Sequence, residues 1–536
     1  MDQAIAAVEA FLALDLGTSG CRAAAFDVRG RVLASARQEY PTCSPRPGWA
    51  EQDPSEWEDA AVDVLHRVAA AAGGRSGRIE FASLTLTGQM AGLVLTGRDG
   101  RNLYPAIPWH DRRAQAQASL LDAAVPEFYR ITGCHASPVY PVAKLLWLKE
   151  AAEGRITGIA SEPFRRALGE TRWVLSPRDE LFRRLTGEVA TDPSCAGATG
   201  LFGMASRSWD ERLCDLAGVD PSWLPPIRAA TEVAGRLPAR LHEATGLPSG
   251  LPVVLGAGDG VAQSLGTGFV QPGQLTVSLG TSGVVRTVTA RPLLDLSSPA
   301  RAPRLTVYPF LAGAGGGLAW VANGATANAA GVLEWLRAAV LRRPLPMDDA
   351  ASVVAGSDGL LFLPYLSGER TPLWEPSARG VWLGLTPAHT DAHLVRSAVE
   401  GVVMALRAVT GALAESGARA HLAALAGGGS IHPVTARILA DGLGIPITRL
   451  PDPGLETVRG AAVLGLAARL REGSSLDEAT LARHAARQLV PAPVEVVEPG
   501  PCAGAYAALF ERFSELTQTL LPLFRRFYQE RSATVA

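Results

Sequence analysis

The chain of 536 residues contains only two lysines, Lys144 and Lys149, and neither follows a GxxxxG run, which excludes a Walker-type phosphate loop. Cysteine is also scarce. The six, at 21, 43, 134, 195, 214 and 502, show no CxxC spacing and occur in a chain too long to need disulfide staples. Reduced thiols in a cytoplasm are the expectation. No excess of one charge exists either: 50 Lys plus Arg against 52 Asp plus Glu leave a formal net charge of -2, so no global field draws the chain to nucleic acid or an anionic membrane. The N-terminal stretch MDQAIAAVEAFLALDLG lacks a basic segment and carries Asp2, Glu9 and Asp15, which argues against a signal peptide. One uncharged run, Leu305 to Leu333, is long enough to cross a bilayer, but its six glycines, Pro309, Asn323 and Asn328 argue against a span.

What is present is material for large cores: 47% hydrophobic residues against 19% charged. A single core stops growing at roughly 250 to 300 residues, so two domains of about 250 each are expected. An internal repeat supports that division. Leu16-Gly17-Thr18-Ser19-Gly20 recurs letter for letter as Leu279-Gly280-Thr281-Ser282-Gly283. Each copy ends one apolar run (Phe11 to Leu16, Leu275 to Leu279) and begins another (Arg22 to Val28, Val284 to Val288), which reads as strand, glycine turn, strand.

A third strand is expected at Arg31 to Tyr40, then a helix from Ser55 with a Ser55–Glu58 capping box, then a strand at Ile79 to Thr87. Farther on, Ala392 to Ala412 and Val434 to Leu443 have helical spacing, with a short strand at Ala423 to Leu425 before Gly427-Gly428-Gly429. This alternation argues an α/β fold with a mostly parallel sheet in each half, preceded by an antiparallel meander. Pro225-Pro226 and Pro491 to Pro501 read as connectors, and Ala503 to Tyr528 as an amphipathic helix on the second domain.

Successive backbone N–H groups in a tight glycine turn bind phosphate oxygens, so two such turns can clasp one polyphosphate. Asp15 precedes the first copy where Ser278 precedes the second, leaving one carboxylate for Mg²⁺, which takes one or two carboxylates with waters and phosphate oxygens. In Leu251 to Gly260 an apolar strand runs into Gly258-Asp259-Gly260, a place where α/β folds put ligands. A carboxylate there can take the proton of an attacking hydroxyl, as phosphoryl transfer to an alcohol requires.

The turn Asp15 to Gly20, Gly88-Gln89-Met90, Trp109-His110-Asp111, the Gly-Ala-Gly-Asp loop ending at Asp259, Ser278 to Gly283 and Leu363 to Pro372 together resemble the FGGY family of carbohydrate kinases. Gly380 to Glu400 and Lys144-Leu-Leu-Trp147 resemble its C-terminal and N-terminal signatures, and the likeness runs over roughly residues 10 to 470. Gln89-Met90 and Leu366 to Pro372, with Glu51 to Pro54, look most like the xylulokinases within it.

The resemblance implies an α/β fold of two actin-like (ribonuclease H-like) ATPase domains with the active site in the cleft between them. Residues 10–265 and 270–490 would be the domains, with a helix at 500–530 on the second. ATP and Mg²⁺ would be the cofactors, and a small-molecule sugar the partner. No nucleic acid or membrane partner is implied, and a homodimer is compatible with the family. By position, Asp259 is the catalytic base and Asp15 the metal-side carboxylate; Gly17, Thr18, Ser19, Arg22, Gly280 and Thr281 lie against the phosphates. Gln89, Met90, Ala91, Trp109, Asp111 and Gly260 surround the sugar, and Glu334, Gly428 and Gly429 lie near the adenosine. The expected reaction converts D-xylulose to D-xylulose 5-phosphate, with ribulose, tetritols and gluconate as alternative acceptors. A chaperone or pseudokinase on the same fold is disfavoured, since both Asp15 and Asp259 are present and about 40 helical residues follow Pro493.

Two departures bear on the acceptor. Xylulokinases usually read Q-M-H-G and G-D-N where this chain has Gln89-Met90-Ala91-Gly92 and Gly258-Asp259-Gly260. Both changes are expected to delete polar side chains that touch the sugar, and His110 is a candidate to replace one of them.

Overall fold

The computed structural model describes residues 8–76, 79–296, 303–313, 317–428 and 432–535. Its first sheet begins as a meander of β1 (Val8–Leu16), β2 (Gly20–Asp27) and β3 (Val32–Glu39). Helix α1 (Pro54–Ser76) leads to β4 (Ile79–Gly88), and after a long insertion β5 (Val233–Arg236) and β6 (Pro252–Gly258) complete the order β3-β2-β1-β4-β6-β5. β1, β4 and β6 run parallel. Phe11, Leu12, Ala13 and Leu14 are all fully buried, so β1 is covered on both faces, as a parallel-sheet centre requires. The start of α1 differs from expectation. Asp53, not Ser55, caps it: the Asp53 carboxylate accepts the Ser55 N–H at 2.8 Å, and Pro54 occupies the first helical position, where its missing N–H costs nothing.

Helix α2 (Asp259–Thr267) carries the chain to the second sheet. There β7 (Gln274–Leu279), β8 (Gly283–Thr289), β9 (Thr306–Ala312) and β10 (Leu318–Thr326) are antiparallel neighbours in the order β9-β10-β8-β7. The uncharged run from Leu305 is thus largely a β-hairpin. Helix α3 (Ala330–Trp335) follows, and then the long α4 (Asp391–Glu415). Among the described residues α4 alone is long and apolar enough to cross a bilayer, and 72% of its most apolar stretch is buried in the protein. β11 (Leu422–Ala426), α5 (Pro433–Leu443), β12 (Ile447–Arg449) and, later, β13 (Glu495–Val497) extend the sheet to β9-β10-β8-β7-β11-β12-β13. The order β10-β8-β7-β11-β12 repeats β3-β2-β1-β4-β6, so the duplicated turn marks a duplicated sheet.

Helix α6 (Glu456–Arg471) comes late in the chain but packs on the first sheet, and α7 (Glu478–Leu489) packs on α6 and α2 and against β9. A domain boundary at 490 therefore follows chain order and not packing. α6 lies on α2 so closely that a Cβ at Gly460 would sit 1.7 Å from the Ala262 carbonyl oxygen, and one at Gly266 would sit 1.7 Å from that of Glu456. Glycine is needed on both helices for this contact. The terminal helix α8 (Ala503–Val535) packs on α4 and α5 of the second sheet.

Candidate active site

The end of β1, beside the first glycine turn, and the loop before α2 come together, bringing Asp15 and Asp259 into mutual influence. Strand β6 delivers Asp259 as the first residue of α2, after Gly258. The loop is fixed from behind: the Gly258 N–H donates to Ser194 Oγ at 3.0 Å, and Ser194 donates to Asp192 Oδ2 at 2.5 Å. Asp192 in turn pairs with the fully buried Arg178, whose guanidinium also donates to the Leu255 carbonyl at 2.8 Å. This support was not readable from the sequence, because Asp192-Pro193-Ser194 reads as an ordinary helix cap.

Asp15 closes β1 and faces the same space. Burial pushes its carboxyl up to about 7; the Asp259 charge adds to this, and Arg22, its partner across the β1–β2 ladder, opposes it. Burial likewise raises the Asp259 carboxyl, against the nearby Arg286 guanidinium and the Gly260 N–H. Asp15 Oδ1 is buried without a hydrogen-bond partner. Two facing carboxylates, one with an orphaned oxygen, form a site that a divalent cation would satisfy. The residues present therefore fit Mg²⁺.

In the first turn Gly17 N–H bonds the Gly20 carbonyl at 3.0 Å. Thr18 Oγ1 accepts the Trp109 indole N–H at 2.9 Å, and its carbonyl accepts from Gln52 Nε2 at 2.8 Å. Trp109 thus stands beside the phosphate turn, with the Arg370 guanidinium of the second sheet's domain 5.9 Å from its ring centre. Ser19 is exposed at the tip. Arg22, expected against the phosphates, donates to the Gly454 carbonyl, just ahead of α6. In the second turn Gly280 N–H bonds the Ser282 carbonyl at 3.1 Å, and Gly280 and Thr281 are exposed. The space around the Cβ position of Gly428 is open, while Gly429 lies outside the described residues.

Two expected contacts, those of Asp111 and Gln89, are corrected. Asp111 has its side chain fully buried, with both oxygens taken by Arg113 and the Ala50 N–H, so it braces the pocket wall instead of reaching a ligand. Gln89 is 1% exposed and donates to Gln52 Oε1 at 3.3 Å, behind the first turn. Glu334 forms a surface ion pair with Arg337 at 2.5 Å. Met90 does line the loop, since a Cβ at Gly258 would lie 2.0 Å from its sulfur. Ala91 is 7% exposed in the left-handed region at φ 57°, its carbonyl accepting Lys144 Nζ at 3.0 Å. His110 packs edge-on to Trp109, and burial lowers its pKa.

Gly260 is the largest surprise. No vacancy exists beside it: a Cβ there would lie 2.4 Å from Tyr308 Oη and 3.1 Å from Arg286 Nε. Restoring a side chain at 260 would collide with groups from β9 and β8. Sequence reading missed both residues. The one available signal was Arg286 itself, a charge inside the strand Gly283 to Thr289, otherwise made of Gly, Val and Thr.

Family models describe what this arrangement resembles. The N-terminal domain of the FGGY family of carbohydrate kinases matches residues 10–266, and the C-terminal domain of that family matches 275–469. A xylulose kinase of Escherichia coli (strain K12) is 32% identical over 519 residues, 96% of this chain and 99% of that protein. A gluconokinase of Bacillus subtilis (strain 168) is 30% identical over 419 residues, 75% and 77% of the two chains. The crystal structure of a gluconate kinase from Lactobacillus acidophilus superposes with a TM-score of 0.84 at 25% identity, covering 97% of this chain and 100% of that one. The architecture is accordingly the two-domain actin-like fold.

Proposed function

The chain belongs to the FGGY family of carbohydrate kinases, which are ATP-dependent, and from that membership we propose that Asp259 is the base that activates the sugar hydroxyl. One observation carries this reading: Asp259 is held at a strand end, at the start of α2, close enough to Asp15 for the two carboxylates to influence each other. Its carboxylate accepts the proton as the acceptor oxygen attacks the γ-phosphorus. A new O–P bond forms, the bond from that phosphorus to the β,γ-bridging oxygen breaks, and its electron pair leaves with ADP. The N–H groups of Gly17 to Gly20 and Gly280 to Gly283 cradle phosphate oxygens. Asp15 would hold Mg²⁺, directly or through water; when bound, that ion neutralises charge developing on the phosphate oxygens. Trp109, tied to Thr18, orients the acceptor against the turn.

D-xylulose is the acceptor we propose to assay first, on the strength of the 32% identical xylulose kinase, with D-gluconate second on that of the gluconokinase. The test is a coupled ADP-release screen over ketoses, polyols and aldonates with wild type and Asp259→Asn. Sugar-dependent ADP release that disappears in the variant supports the reading. Equal release by both proteins overturns it.

A further inference from the structure

The wall beside the base is built from the other domain. Gly260 follows Asp259 on α2, and the space in front of its Cα holds two polar side chains, the Tyr308 phenol from β9 and the Arg286 guanidinium from β8. A guanidinium carries five N–H donors, and one of those of Arg286 bonds the Tyr308 phenol oxygen. One nitrogen donates to the neutral Gln263 Oε1 at 2.5 Å, one turn along α2 from Asp259. Nε is buried with no partner at all. Among the described residues no carboxylate forms an ion pair with Arg286. Its nearest negative group is Asp259, which the proton transfer requires as a free acceptor.

A partly buried cation with unused donors is costly unless an anion completes it. Water can serve while the cleft is open, but phosphoryl transfer excludes water. Two anions can then supply it, the transferred phosphate and the acceptor, and the place of Arg286 beside Gly260, next to the base that meets the acceptor hydroxyl, favours the acceptor. A neutral hydroxyl would satisfy one donor and leave the charge uncompensated, whereas a carboxylate matches the guanidinium fork with two charge-assisted hydrogen bonds and leaves the Tyr308 hydroxyl to donate a third.

We propose that Arg286 and Tyr308 are specificity-determining residues that read a carboxylate on the acceptor, so that the preferred substrates are sugar acids and not uncharged ketoses. The inference rests on the kinase reading of Asp259 and adds the acceptor class to it. Gly260 is then the residue that admits the pair, because any side chain there would displace both.

The test compares kcat/KM for D-gluconate and D-xylulose in wild type, Arg286→Gln and Tyr308→Phe, with calorimetric titration of D-gluconate into each. Wild type is expected to favour D-gluconate. Arg286→Gln should lose about 10- to 100-fold on D-gluconate, the scale of a lost charge-assisted pair, and far less on D-xylulose. Tyr308→Phe should move the ratio in the same direction by a smaller factor, which keeps the test decisive if Arg286→Gln fails to fold. A wild-type preference for D-xylulose, or equal losses on both acceptors, overturns the proposal while leaving the kinase reading intact. Equal sugar-dependent ADP release by wild type and Asp259→Asn would instead sink the kinase reading on which it stands.

Discussion

The two copies of Leu-Gly-Thr-Ser-Gly are identical in letters and different in structure. In the first, Leu16 faces Cys21 across the ladder, so four residues, 17–20, separate the last paired positions. In the second, Leu279 faces Gly283, and the loop shortens to residues 280–282. The surroundings decide this. Gly283 is drawn into its strand against Thr326, Leu406 and Ala329, and the start of α3 bonds the turn, with Ala330 N–H on the Gly280 carbonyl at 2.9 Å and Ala329 N–H on that of Thr281 at 3.1 Å. The first turn is instead held open by Tyr40, whose hydroxyl donates to the Gly17 carbonyl, and by Gln52 on the Thr18 carbonyl. Charge follows the same division. Asp15 faces Arg22 in the first hairpin, while its counterpart Ser278 faces Val284 in the second, whose arginine lies farther along at 286. The first hairpin thus carries a carboxylate beside its turn where the second carries a hydroxyl.

The largest effect expected is at the proposed base, Asp259, whose charge acts on Asp15 beside the first turn. Asp259→Asn should lower kcat by about 10² to 10⁴ and leave ATP affinity within about twofold, measured by steady-state kinetics and nucleotide titration. Next comes Asp15→Ser, which makes the first turn copy the second. The Mg²⁺ concentration for half-maximal rate should rise about 10- to 100-fold, and adding Ser278→Asp should not restore it, because it is the Asp15 carboxylate that Asp259 acts on. Recovery in the double variant would show the turns to be interchangeable.

A pH experiment sharpens the same contrast. Because the folded Asp15 carboxyl titrates near 7 and the unfolded one near 3.8, its ionisation costs stability that is absent at low pH and grows as pH rises through that window. Asp15→Asn should therefore raise the metal-free Tm at pH 8 by at least about 2 °C and leave it nearly unchanged at pH 4. Equal shifts at both values would assign the effect to packing. The smallest effect concerns the threonines. Thr18→Val removes the acceptor of the Trp109 indole N–H and should raise the acceptor KM about two- to tenfold, the value of one hydrogen bond. Thr281→Val should leave that KM unmoved, since among the described residues no indole donates to Thr281, while Trp109 donates to Thr18.

Much of the site was legible where chemistry and chain neighbourhood coincide. Asp15 and Asp259 both end apolar strands, and the loops they enter are rich in glycine. Asp111 and Gln89 were misread because a sequence motif shows that a residue belongs to the site region, not which way its side chain is spent. Asp111 is consumed by Arg113, two residues away, in an ion pair sealed from solvent. Glu334 faces solvent because Arg337, one helical turn on, pairs with it there.

The sequence by itself determined the strands, the duplicated turn, the two carboxylates and the two-sheet α/β plan, since these rest on local periodicity, turn chemistry and the need to bury apolar runs. Tertiary structure alone decided the register of each hairpin, the crossing of α6 onto the first sheet, and the meeting of Arg286, Tyr308 and Gly260. Register depends on what packs against a turn from distant segments, and identical pentapeptides accept either loop length at little local cost. The wall beside Asp259 is assembled from residues 260, 286 and 308 on three separate elements, and only the packed domains bring them within bonding distance.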